Sequence, residues 1–206
     1  MSGRPRGRSR KPHPSKRTSR KSRGRISPTG RNVLDFGCGL RKRPGAIGID
    51  VNPRSSADII HDLNQFPYPF QEGTFDEIYC DNVLEHLRDV VKVMEELHRI
   101  SKPSGEIIVI VPFFPHRQAY TDPTHQHYFG IHSFDYFIEG TAYAGFQYSK
   151  SKFELLSVEF EKGLPPANWF DKILLSYANS HKDFYENRLS NIFPLRNITF
   201  HLRVTK

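Results

Sequence analysis

The chain has 206 residues, 37% of them hydrophobic and 25% charged, with a formal net charge of +8. That length holds one domain with a proper core and leaves little for a second. Its two cysteines, Cys38 and Cys80, exclude a disulfide framework, no Cys/His ladder has zinc-finger spacing, and no apolar run reaches the length of a membrane span.

The charge is concentrated at one end. Of the 30 Lys and Arg, eleven lie within residues 1–25, where there is no acid, so the other 19 face all 22 Asp and Glu and the remainder stands at −3. Residues 1–30 are mostly Arg, Lys, Ser, Pro and Gly and cannot bury enough surface to offset chain entropy. They are predicted to be a disordered basic tail ahead of one domain, residues 31–206. No apolar stretch follows the N-terminal charges as in a secretory signal. A reducing compartment is therefore expected, cytoplasmic or, in a eukaryote, nuclear.

From Asn32 the pattern changes. Short apolar runs at Asn32–Phe36, Ala46–Asp50, Asp58–His61, Phe75–Cys80 and Glu106–Val111 predict five strands. Between the last two, Val83, Leu84, Leu87, Val90, Val91, Met94, Leu97 and Ile100 recur at spacings of three and four, predicting one helix stopped by Pro103 and Gly105. The last third adds a strand at Lys152–Glu161, a helical stretch within Asn168–Leu189 and a strand at Asn197–Val204. Strands alternating with helices imply an α/β domain around a mostly parallel sheet.

The strongest local signal is Val33-Leu34-Asp35-Phe36-Gly37-Cys38-Gly39, a buried strand entering a paired-glycine turn. Glycine permits positive φ and close approach of a ligand to the backbone. A dinucleotide site would want a third glycine where Lys42 stands, and a helix N-terminus facing the pyrophosphate. Only Leu40–Gly45, with Pro44 among them, separate the turn from the second strand, so a ligand without phosphates suits it better. The second strand ends in Asp50, placed to accept ribose hydroxyls, and the third is followed by Asp62-Leu63, placed near an adenine edge.

These residues resemble the class I, Rossmann-like methyltransferases dependent on S-adenosylmethionine, a cofactor without phosphates, and among them the type 11 group. Asp35-Phe36-Gly37-Cys38-Gly39 is similar to that family's glycine motif, Asp50 to its ribose acid and Asp62-Leu63 to its adenine-side motif. The stretch Phe75–Leu87, with Asn82 at the strand end, resembles its fourth strand and the start of the helix after it. Leu97–Glu106 resembles the approach to its fifth. The resemblance covers residues 32–112 and implies a doubly wound, seven-stranded, mostly parallel sheet with helices on both faces, its last strand antiparallel between the fifth and sixth. It implies S-adenosylmethionine as cofactor, held by Asp35, Gly37, Cys38, Gly39, Asp50, Asp62, Leu63 and Asn82. The chain departs from the family at Leu40–Gly45, where a full helix is usual. Arg41 and Arg43 are the cations available there for the cofactor's carboxylate.

After the fifth strand comes Pro112–Gly130, long for a loop and rich in aromatic and histidine residues, as functional lids often are. His125 and His127 are candidates for a general base or for holding a substrate oxygen, against the alternative that they serve only the loop's own hydrogen bonds. Asp122, His125 and His127 match no established ligand spacing, so no metal is expected. Cys80 reads as a buried strand residue rather than a nucleophile. Asp81-Asn82 lacks the proline-proline-aromatic continuation of base amino-group methylation.

Three functions remain open: methyl transfer to a small molecule or glycan, methyl transfer to RNA or a ribonucleoprotein guided by the basic tail, or a binding protein on a degenerate methyltransferase fold. The tail has the charge for nucleic-acid phosphates but no aromatic platform for stacking bases.

Overall fold

A computed structural model describes residues 30–161 and 169–206. The expected basic tail lies outside the described residues except for Gly30. Seven strands form one sheet in the order β3-β2-β1-β4-β5-β7-β6. They are β1 (Val33–Phe36), β2 (Ile47–Asp50), β3 (Ile59–Ile60), β4 (Phe75–Asp81), β5 (Ser101–Pro112), β6 (Lys152–Glu161) and β7 (Asn197–Thr205). The first five pair in parallel, and β7 pairs antiparallel with both β5 and β6. This is the insertion that the family resemblance implied.

The central strands are apolar along their length because the sheet is covered on both faces. Leu34, Phe36, Ile49, Ile78, Cys80, Ile107, Val109 and Val111 are all fully buried. Helix α1 (Val90–Ile100) joins β4 to β5 and turns Val93, Met94, Leu97 and Ile100 into the core. Asp89 starts it, its side chain accepting the Lys92 N–H, so one otherwise orphaned donor is satisfied. Its last turn carries Arg99, which reaches Glu96 and the carbonyls of Tyr68 and Phe70 and pins the loop ahead of β4. Helix α2 (Gln118–Thr121) is a single turn after β5, and α3 (Trp169–Ser180) follows β6.

The predicted helix from Val83 is therefore shorter than its apolar stripe. Asn82 takes a left-handed φ of 51°, Leu84–His86 make one 3₁₀ turn, and Leu87 is extended. Val83, Leu84 and Leu87 are buried all the same. Their spacing reports burial on one side, which a tight turn supplies as well as a helix.

Residues 37–46 contain no helix, in keeping with their length. Lys42 does some of the covering instead. Its ammonium pairs with Asp58 at 2.5 Å, and its alkyl stem and Cys38 Sγ lie over Gly48, where a Cβ would collide with both.

Candidate functional site

Parallel strands end in a common rim, and in open α/β sheets ligands bind there, where successive connections diverge. Here that point lies between β1, which leads to β2 on one side, and β4 on the other. The glycine turn, Asp50 and the β4 end all meet at it.

Gly37 and Gly39 both have positive φ, 72° and 51°. Gly37 N–H donates to Ile49 O at 2.9 Å, tying the turn to β2, and the glycine lies so close to Val83 that a Cβ would run into that side chain. Around Gly39 the position of a Cβ is open space. Asp50 is nearly buried, with one carboxylate oxygen accepting Gly39 N–H at 2.7 Å and the other Asn52 N–H at 2.8 Å. Each oxygen keeps a lone pair for a ribose hydroxyl. Asp35 is buried beneath, accepting Arg43 N–H at 2.7 Å; burial raises its pKa, against the pull of that hydrogen bond and the Arg43 charge.

These features fit S-adenosylmethionine in its adenosine half: an anchored acid beside a bare glycine backbone, with no helix N-terminus demanding phosphate. Cys38 fits a packing role. Burial, with Asp35 and Asp50 nearby, pushes its thiol up to about 11. Asp62 and Leu63 follow β3 as expected. Asp62 accepts Asn64 N–H, and the buried Leu63 offers its carbonyl to Tyr68 Oη. Of the two cations considered for the methionine end, Arg43 sits over the Tyr79 ring at 3.8 Å and 3.7 Å from Asp81, and Arg41 is exposed.

At the ends of β4 and β5 a pocket of about 430 Å³ opens. Asn82, Glu85 and His86 line it from the β4 end, Pro112 from the end of β5, and Asp122 and His125 from the long loop. The loop is stitched down onto the 3₁₀ turn: Gln126 N–H donates to Glu85 O at 2.7 Å and Gln126 Nε2 to His86 O at 3.0 Å. Of the two histidines singled out from the sequence, His125 lines the pocket and His127 does not. His127 Nε2 is buried without a hydrogen-bond partner.

Two residues carry more than the sequence suggested. Glu85 is only 1% exposed and neither carboxylate oxygen has a hydrogen-bond partner. Burial, with Asp81 and Asp122 adding to it, pushes its pKa up to about 7. His86 packs edge-on against His125 with ring centroids 4.6 Å apart, and burial together with His125 lowers its pKa. By spacing alone, Glu85-His86 is no different from an ordinary polar pair on a turn. The signal that marks them is burial, which only the fold supplies. Cys80 is fully buried and its pKa is raised by burial, as a strand residue without nucleophilic work.

Residues 34–109 match a family model described as a methyltransferase domain. An uncharacterized protein of Methanocaldococcus jannaschii is 34% identical over 96 aligned positions, covering 38% of this chain and 40% of that one. The chloroplastic tocopherol O-methyltransferase of Arabidopsis thaliana is 29% identical over 106 positions, covering 39% of this chain and 30% of that enzyme. The chain thus matches well under half the length of these curated relatives. A solved structure of an S-adenosylmethionine-dependent methyltransferase from Archaeoglobus fulgidus superposes with a TM-score of 0.52 at 18% identity, over 84% of this chain and 86% of that one. The strand order of the whole sheet and the superposition give a Rossmann-like α/β fold, and residues 34–109 are similar to a methyltransferase domain.

Proposed function

We propose that the protein transfers a methyl group from S-adenosylmethionine to a small-molecule or glycan acceptor seated in the pocket between β4, β5 and the loop 112–130. The observation that carries this reading is Asp50, fixed by Gly39 N–H at the carboxyl rim of the sheet, with a pocket lined from the β4 and β5 ends of the same rim. When bound, the cofactor supplies a methyl carbon made electrophilic by its sulfonium.

The chain's own contribution is placement. Asp50 accepts the ribose hydroxyls, Asp62 and Leu63 flank the adenine, and Gly37, Cys38 and Gly39 with Asp35 beneath them shape the floor. Asn82 marks the border between cofactor and acceptor. His125 lines the acceptor side of the pocket, where it holds an acceptor oxygen, and His127 lies in the same loop outside the pocket. Holding nucleophile and methyl carbon in line accounts for much of the rate enhancement in such displacements.

The eleven basic residues within 1–25 support a second reading, in which the acceptor is RNA or a ribonucleoprotein. Removing residues 1–25 separates the two: turnover of a small acceptor survives the deletion, whereas methylation of RNA falls with it and with added salt.

The founding test is calorimetric titration of S-adenosylmethionine into the full chain and into Asp50→Ala. The wild type is expected to bind, and the substitution to cost about 1–3 kcal/mol through lost hydrogen bonds to a charged acceptor. Unchanged affinity in a folded variant refutes the placement of Asp50. A folded wild type that binds no cofactor leaves a binding protein on a degenerate fold.

A further inference from the structure

We propose that Glu85, His86 and His125 form a site for a divalent metal ion at the mouth of the acceptor pocket. One ligand atom from each lies within 4.8 Å of the others, close enough that a cation about 2.1 Å from each needs only a small inward shift. Two elements distant in the chain supply them, the turn after β4 and the loop after β5.

The hydrogen bonds around the two rings prepare them as ligands. His125 Nδ1 lies 2.8 Å from Ala119 O, which can only accept, so this nitrogen carries the proton and Nε2 keeps its lone pair. His86 Nδ1 lies 2.8 Å from Thr124 Oγ1. The Thr124 hydroxyl spends its own proton on Asp122 Oδ1 at 2.7 Å, so His86 must be the donor, and its Nε2 is likewise left as an acceptor. A histidine donating one N–H to a carbonyl, and another linked through a hydroxyl to a carboxylate, is the outer-shell pattern that orients imidazole ligands.

Glu85 supplies the independent observation. A buried carboxylate with both oxygens unpartnered is costly to keep, and buried charges are retained where they are paired or coordinate metals. No cation among the described residues pairs with it. Its neighbours within the site are two imidazoles with their lone pairs free. Two imidazoles and one carboxylate favour borderline ions such as zinc, cobalt, manganese or ferrous iron over magnesium or calcium. The sequence led to the expectation of no metal, with Asp122, His125 and His127 weighed as a set; in the proposed site His125 is a ligand, Asp122 acts through Thr124, and His127 lies outside it.

The metal site stands on these contacts alone. Its role rests on the methyl-transfer reading: positions of the ion not taken by protein face the pocket, where they bind and polarise an oxygen of the acceptor. A hydroxyl-bearing acceptor is thereby favoured over an amine, and His125 serves as a ligand rather than a base.

The test is titration of Co²⁺ into the untagged full chain, followed by its visible absorption, with Zn²⁺ and Mg²⁺ compared by thermal shift. The expected result is one Co²⁺ per chain, Zn²⁺ raising the melting temperature, and Mg²⁺ without effect at the same concentration. His125→Gln and Glu85→Gln are each expected to weaken Co²⁺ binding by at least about tenfold, and Thr124→Val, which removes the partner of His86 Nδ1, by about tenfold. His132→Gln, a surface control, is expected to bind as wild type does. Retained S-adenosylmethionine binding shows which variants are folded. A folded wild type that takes up no Co²⁺ or Zn²⁺, or uptake unaltered in His125→Gln and Glu85→Gln, overturns the site. Failure of cofactor binding with Co²⁺ uptake intact would instead sink the methyl-transfer reading and leave the metal site standing.

Discussion

Gly37 and Gly39 sit two residues apart with the same left-handed backbone, yet the space around them assigns different work. A side chain at Gly37 would meet Val83, which is buried in the core, whereas one at Gly39 would project into open space beside Asp50. Gly37→Ala therefore combines the left-handed strain of about 1–2 kcal/mol with a steric clash, and a marked fall in melting temperature is expected. Gly39→Ala carries only the strain, but its methyl enters the open space beside Asp50, where the proposed cofactor site lies. Its stability should fall by about 1–2 kcal/mol while S-adenosylmethionine affinity falls far more. Denaturation and calorimetry on the two variants check this, and equal binding losses would place the cofactor elsewhere. These glycines were legible in the sequence because Asp35, Gly37, Gly39 and Asp50 follow one another along two short strands. Glu85, His86 and His125 were not legible as a set, since a 38-residue separation between His86 and Thr124 closes only in three dimensions. Chain proximity instead grouped His125 with His127, and the fold parts them.

Among elements, strands were read more surely than helices. The bounds of β6 coincide with the predicted Lys152–Glu161, and β7 extends one residue beyond the predicted Asn197–Val204. Alternation and β-branched content identify a strand locally. Helical periodicity was less reliable around β4, where the buried Val83, Leu84 and Leu87 kept the spacing of a helix while Asn82 and Leu87 broke its backbone. The helical stretch in the last third also divides, into α3, a short turn at Lys182–Phe184 and a wider π turn at Tyr185–Leu189.

That last junction is held by His132, whose ring bridges Asp135 at 2.7 Å and Asp183 at 3.0 Å. Burial alone would lower its pKa, but the bonds to Asp183 and Asp135 outweigh it and raise the pKa. A raised histidine pKa means that the folded state holds the proton more tightly than the unfolded chain. The stabilisation is full below the ordinary histidine value near 6.5 and is lost as pH rises through the raised value. The melting-temperature gap between wild type and His132→Gln should thus be widest in mild acid and close in mild alkali. A gap independent of pH would mean that the bridge works through neutral hydrogen bonds alone.

At the scale of the whole molecule, the sheet is completed out of chain order. β6 pairs with β7, and β7 in turn pairs with β5, from Glu106–Pro112 to Asn197–Arg203. Phe200 and Leu202 of β7 are fully buried, so the strand fills the core as well as the ladder. A variant ending at Arg196 is expected to lose its cooperative melt and to elute as aggregate, because it exposes open edges on β5 and β6. A soluble, cooperatively melting monomer would show that β6 can pair with β5 directly.

The rim that carries the glycine turn, Asp50 and the β4 end belongs to strands that make no ladder with β7. During synthesis these strands can assemble while the growing chain is still emerging, and the edge of β5 then waits, from Pro112 until Asn197 is made, for its partner. Cellular yield of this protein should accordingly depend on how well chaperones shield that single edge during translation.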